Sequence, residues 1–139
     1  MAQLLEFTGN HPYLVGGVLI AWAAVMIYEI RLRSQGLSHV STTESVRLIN
    51  KGAVVLDVRN PEEYSSGHIV NARNVPLEEI ETGGKTLNKL RKKVVLTVCN
   101  TGQSSGKAAG LLRKAGFEQV FSIRGGLAAW RKDNMPIAK

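Results

Sequence analysis

The chain holds a single cysteine, and what surrounds it decides whether it can do chemistry. Cys99 closes the apolar run KKVVLTVC and is followed at once by NTGQSSG, a stretch of small and polar residues. A lone cysteine is commonly a small buried hydrophobe. Here the following residues can curl tightly and turn successive backbone N–H groups into one concavity, a nest that holds an anion. A helix beginning near Ser105 adds the positive end of its dipole at the same place. Neutral donors around a thiol lower its pKa, and they also hold the longer, equally negative persulfide formed once the sulfur has taken up another. No separate general base is then required. No histidine adjoins Cys99: His11 and His39 lie towards the N-terminal apolar segment, and His68 belongs to a different loop, where an ordering hydrogen bond is its expected role. One cysteine allows no internal disulfide, multi-cysteine zinc spacings are absent, and a reducing compartment fits; neither a metal nor a cofactor is expected.

The elements that must hold this loop read as alternating helix and strand. STTESVRLINKG is a capped helix, with Ser or Thr at its start, Glu44 in its first turn and Gly52 after its end. AVVLDV is a short β-branched strand, a helix begins at Leu77 after Pro76, and KKVVLTVC is a second strand. In SGKAAGLLRKAG the positions Ala108, Ala109, Leu111, Leu112 and Ala115 share a helical face, and Gly116 suits the C′ position. EQVFSI then gives a third strand and GGLAAWRK a last short helix. The alternation predicts an α/β fold with a mainly parallel sheet flanked by helices, in which function gathers at the carboxyl edge of the strands. Asp57 and Cys99 both fall at that edge.

Charge and hydropathy divide the chain. No Lys or Arg precedes Arg31, so all 18 basic residues follow Ile30 together with 9 of the 11 acidic ones, leaving that part at 18 − 9 = +9. The basic residues are scattered and aromatic residues are few, which argues against a nucleic-acid surface. The anionic face of a membrane accounts for the same excess.

Before Arg31 lies YLVGGVLIAWAAVMIYEI, almost wholly apolar on every side, and the run without a charged side chain from Phe7 to Tyr28 would span about 30 Å as a helix. This predicts a single transmembrane helix over about 12–30, within an N-terminal segment 1–33 that a short linker, 34–38, joins to a domain over 39–139. Tyr13 and Tyr28 fall where interfacial aromatics belong, although Trp22 does not. A cleaved signal peptide is a poorer reading, because the chain opens with MAQLLEF rather than a basic region and Arg31 and Arg33 follow as a stop-transfer flank. Those arginines place the N-terminus outside and the domain in the cytoplasm. Gly17 and Ala21 form a small-xxx-small pair on which a homodimer or a membrane-protein partner could pack.

Three separate segments together resemble the single-domain rhodanese family. VVLDVRNPEEYSSGHIVNARNVPL is similar to its signature segment at Asp57, Arg59, Glu63, Gly67, His68, Ala72, Asn74 and Pro76; CNTGQSS resembles its active loop, and IRGGLAAW its C-terminal motif at Gly125, Gly126 and Trp130. The apolar start resembles that of membrane-anchored bacterial rhodaneses, which implies a bacterial inner (plasma) membrane. The resemblance implies a ping-pong sulfurtransferase moving a sulfane sulfur from thiosulfate or a persulfide to a thiol or cyanide. Carried over residue by residue, Cys99 is the nucleophile, Asn100, Thr101, Gly102, Gln103, Ser104 and Ser105 form the anion cradle, and Asp57, Arg59 and His68 support it. Asp57 and Arg59 read as a brace between loops rather than as catalysts.

One departure stands out: many rhodaneses carry Arg or Lys in the active loop, where this chain has only neutral residues. A neutral cradle should bind dianionic thiosulfate less tightly, with Lys107 or Arg124 left as external sources of charge. A cysteine phosphatase needs Arg five residues beyond the Cys–x pair to clamp phosphate, and that position is Ser105. The alternative to an enzyme is a catalytically weak, membrane-tethered interaction or regulatory module.

Overall fold

The computed structural model describes residues 11–36, 39–83 and 85–139. Glu6, the linker residues Leu37 and Ser38, and the side chains of Arg31 and Arg33 lie outside the described residues. The chain divides into two compact units between Gly36 and Leu37.

In the first unit the described residues form one helix, α1, over Pro12–Gly36, which takes in Ser34 to Gly36 of the expected linker. Its stretch Pro12–Ile30 has a mean hydropathy of 1.8 and is 0% buried. At about 1.5 Å per residue this stretch is roughly 28 Å long, enough to cross a bilayer's hydrocarbon core. Leu14, Val18, Ile20, Trp22, Ile27 and Ile30 are all exposed, so no polar face turns towards water.

The second unit is built on a five-stranded sheet. Its strands are β1 (His39–Val40), β2 (Val54–Asp57), β4 (Arg73–Asn74), β5 (Val94–Val98) and β6 (Gln119–Ile123), in the order β1-β6-β5-β2-β4. Every neighbouring pair is parallel. Both faces are covered, which is why β2 and β5 read as near-continuous apolar runs, broken only by Asp57 at the end of β2 and Thr97 within β5, instead of alternating. Leu56 and Val95 point to one face, with Ala108, Ala109, Leu112, Phe117 and Val120. Val55 and Leu96 point to the other, with Val98, Ile123, Leu127 and Trp130. Burial of each such large side chain stabilises the fold by about 1.5–3 kcal/mol.

The helices follow local signals. In α2 (Thr42–Asn50) Ser41 is the N-cap, its hydroxyl accepting from the Glu44 N–H at 3.2 Å. In α3 (Pro61–Ser65) Asn60 caps the Glu63 N–H at 2.8 Å and Pro61 fixes the first turn. After α4 (Leu77–Glu81) comes a short 3-10 helix, Lys85–Leu90. α5 spans Gln103–Lys114, starting two residues before Ser105, so Ser105 lies inside the helix rather than at its entrance. Its buried face is Ser105, Ala108, Ala109 and Leu112; Ala115, expected on that face, is exposed beyond the last turn. α6 is Gly126–Lys132. A second, two-stranded antiparallel sheet pairs β3 (His68–Ile69) with β7 (Ile137–Ala138) and ties the chain's end to the loop after α3.

Candidate active site

β5 ends at Val98, one residue before Cys99, in the middle of the sheet with β6 on one side and β2 on the other. The chain must then turn sharply into α5. It does so through Gly102, the N-cap, at φ 97, a left-handed conformation that any side chain would strain. That turn brings the Gly102 N–H to 3.0 Å from Cys99 Sγ, and the Ser105 Oγ lies 3.5 Å from the same sulfur.

The carbonyls of this turn are drawn away from the sulfur by α6. Leu127 N–H donates to the Cys99 carbonyl at 2.7 Å and Ala128 N–H to that of Asn100 at 3.0 Å. A Cβ on Gly126 would collide with both carbonyl groups, and Gly125 and Gly126 have φ 72 and 60. The Gly-Gly pair therefore lets the first turn of α6 approach the active loop closely enough to take up its acceptors, leaving donors facing the sulfur. A Cβ on Gly102 would in turn stand 3.2 Å from the Gly125 nitrogen, so the two turns are fitted to each other through glycine.

Cys99 is only 5% exposed, yet it borders a cleft of about 360 Å3 that also meets Val58, Arg59, Glu63, Glu78, Asn100 and Ser104. Burial pushes the thiol pKa up. Hydrogen bonds from the Ser105 hydroxyl and from the N–H groups of Ser105, Gly102 and Thr101 outweigh it and hold the pKa below the ordinary value of 9.0. The sulfur is thus desolvated on most sides but met by donors, an arrangement suited to a negative charge.

Asp57 and Arg59 form the brace expected of them. Asp57 is fully buried and takes Arg59 Nε at 2.9 Å and Nη2 at 2.6 Å, a bidentate pair. Arg59 Nη2 also donates to the Gly67 carbonyl at 2.9 Å, and Nη1 reaches Asn100 Oδ1 at 3.3 Å. Asn100 passes the contact on, its Nδ2 donating to Glu63 Oε1 at 2.6 Å. The bond to Asp57 raises the Arg59 pKa against the opposing effect of burial, with smaller contributions from the charges of Asp57, Glu63 and Cys99.

Not every expected residue meets the sulfur. His68 stacks on Tyr64, ring centroids 3.9 Å apart, with Nδ1 3.0 Å from the Tyr64 carbonyl, and it does not border the cleft. Those contacts tie it to α3 and not to the sulfur. Lys107 Nζ pairs with Glu81 Oε1 at 2.6 Å, and neither it nor Arg124 borders the cleft, so the charge sought from outside the loop is not delivered. Gln103 and Ser104 are exposed on the first turn of α5.

Two residues escaped the sequence reading. Ser122, in β6, is fully buried with its Oγ 2.8 Å from Ser105 Oγ. His39, grouped by sequence with the N-terminal segment, pairs with Ser122 across β1 and β6, and its ring stands against Gly106 of α5. Neither carries a local signal, since both contacts arise from strand order.

The model of the rhodanese-like domain matches residues 41–133. YibN, an uncharacterised protein of Escherichia coli strain K12, is 32% identical over 100% of this chain and 99% of its own length. The thiosulfate sulfurtransferase GlpE of Pseudomonas entomophila is 37% identical over 92 residues, covering 66% of this chain and 83% of that protein. Among solved structures, a rhodanese-related protein from Thermoplasma volcanium superposes with a TM-score of 0.65 at 29% identity, covering 72% of this chain and 96% of that one. With a family match over most of the chain and the same fold around the Cys99 loop, the protein belongs to the rhodanese-like family.

Proposed function

We propose that the protein is a membrane-tethered sulfurtransferase that carries a sulfane sulfur as a persulfide on Cys99. The observation that carries this reading is the donor-lined sulfur: Gly102 N–H at 3.0 Å and Ser105 Oγ at 3.5 Å, with an open cleft in front. The sulfurtransferase name of GlpE agrees with it.

In the first half-reaction the Cys99 thiolate attacks the outer sulfur of the donor. A new S–S bond forms, the donor's own S–S bond breaks, and sulfite or a thiolate leaves with the bonding pair. The terminal sulfur of the persulfide then carries the negative charge. The amides of Thr101 and Gly102 and the Ser105 hydroxyl can follow that charge without reorganising. In the second half-reaction an acceptor thiolate or cyanide takes the terminal sulfur, and Cys99 returns as thiolate. Protons balance without a general base.

The apolar α1 supports a bilayer anchor, and the basic flank at Arg31 and Arg33 supports a cytoplasmic domain at a bacterial inner membrane. Initial-rate kinetics on the detergent-solubilised chain, with donor and acceptor varied together, test the reaction. Parallel double-reciprocal lines, lost in Cys99→Ser, are expected. Intersecting lines, or equal turnover in Cys99→Ser, contradict a persulfide intermediate. Recovery of the chain in membranes after an alkaline wash tests the anchor; release into the supernatant contradicts it.

A further inference from the structure

The charges that border the cleft are unlike those of the domain around it. The part of the chain after Ile30 carries +9, yet the side chains at the cleft include two carboxylates, Glu63 and Glu78, and one cation, Arg59. That cation is not available as a net charge. Its guanidinium is bound bidentately by the fully buried Asp57, and its remaining bonds go to the Gly67 carbonyl and Asn100 Oδ1. Lys107 is held by Glu81 away from the cleft. Counting Arg59 with Asp57 as neutral, an incoming donor meets two carboxylates and, behind them, the Cys99 thiolate itself.

Distance decides which field wins. At physiological salt charges are screened over about 8 Å, so carboxylates on the cleft wall outweigh lysines spread over the domain surface. Glu63 is tied to Asn100 Nδ2 at 2.6 Å and belongs to the loop's own bracing. Glu78 is exposed in the first turn of α4 and free to act by its charge.

Resting on the sulfur-transfer reading above, we infer that Glu78 is a specificity residue: with Glu63 it turns away dianionic thiosulfate and favours sulfane-sulfur donors bearing at most one negative charge at the transferred end. Such donors include a persulfide presented by a protein surface without neighbouring acids. The chemistry is the same for either donor: Cys99 takes the outer sulfur, and the leaving group departs as sulfite from thiosulfate or as a sulfinate from a thiosulfonate.

Thiosulfate and methanethiosulfonate form the appropriate pair, because both offer a terminal sulfane sulfur on a sulfonyl group but the first is a dianion and the second a monoanion. The second-order rate of sulfur uptake on Cys99, followed by intact mass, is compared in the full chain and in Glu78→Gln. Coulomb energy scales with the product of charges, so removal of one carboxylate raises the thiosulfate rate roughly fivefold and the methanethiosulfonate rate about twofold. Glu78→Lys extends both gains in the same order. Glu79→Gln, the same charge change on the same helix but off the cleft, leaves both rates near the wild-type values. Equal gains for the two donors, or none, overturn the inference while leaving sulfur transfer intact. If neither of these donors nor any persulfide loads Cys99 in any of these proteins, the sulfur-transfer reading itself fails.

Discussion

The hydroxyls of Ser105 and Ser122 meet 2.8 Å apart, and both residues are fully buried. This contact has a direction once Cys99 ionises. The thiolate can only accept, so Ser105 must donate to it, and Ser105 is then left as the acceptor for Ser122. Ser122 thereby holds the Ser105 proton towards the sulfur from across β6.

Removing either hydroxyl should therefore weaken the thiolate without touching the cleft wall. The rate of Cys99 alkylation against pH is expected to move to higher pH in Ser105→Ala, and to a lesser extent in Ser122→Ala. Ser122→Thr, which restores a hydroxyl, should recover part of the Ser122→Ala change. Coincident profiles in all four proteins would show that the pair only fills space.

The depressed thiol pKa has a consequence for stability. Between the folded pKa and the unfolded value near 9.0 the unfolded chain binds the extra proton, so stability attributable to Cys99 rises with pH through that window. It is complete above the unfolded value and is lost as pH falls through the folded pKa. Denaturant titrations of the wild type and Cys99→Ser should diverge in favour of the wild type as pH climbs from neutral towards 9. A constant difference would mean that the folded and unfolded thiols titrate alike.

Gly126 is the tightest point in the site's construction. Gly126→Ala both strains a φ of 60 and drives a Cβ into the carbonyls of Cys99 and Asn100, and it should destabilise by about 3 kcal/mol or more. Gly52 has φ 94 but nothing within 4 Å of an added Cβ, so Gly52→Ala should cost only about 1 kcal/mol. Urea midpoints of the two variants make the comparison.

The buried Asp57–Arg59 pair should behave as a unit. Asp57→Asn leaves the guanidinium uncompensated in the interior and is expected to cost about 3–5 kcal/mol. The double variant Asp57→Asn with Arg59→Met removes both charges and should regain much of that loss. Additive losses in chemical denaturation would mean that the two residues are energetically independent.

How far the sequence foretold this site follows from what is local and what is not. The cap at Ser41, the apolar strands β2 and β5 and the sharp turn after Cys99 are set by neighbours in sequence, and each is legible there. Lys107 and Ser122 are different. Whether a lysine near the loop lends its charge depends on whether another element offers it a carboxylate, and α4 does so through Glu81. Ser122 matters only because β6 lies beside β5, an adjacency fixed by sheet order. The edge strands β1 and β4 are two residues each, too short for periodicity to mark, and the start of α5 at Gln103 is set by Gly102's left-handed turn rather than by a side-chain cap.

Sulfur transfer by this domain stands or falls with a persulfide on Cys99. Intact mass of the full chain, after exposure to a panel of sulfane-sulfur donors and removal of excess reagent, tests it most directly. The expected result is a gain of one sulfur atom that cyanide removes and that Cys99→Ser never shows. An unchanged mass with every donor, thiosulfate and protein or small-molecule persulfides alike, would contradict it and leave the domain a tethered module without sulfur chemistry.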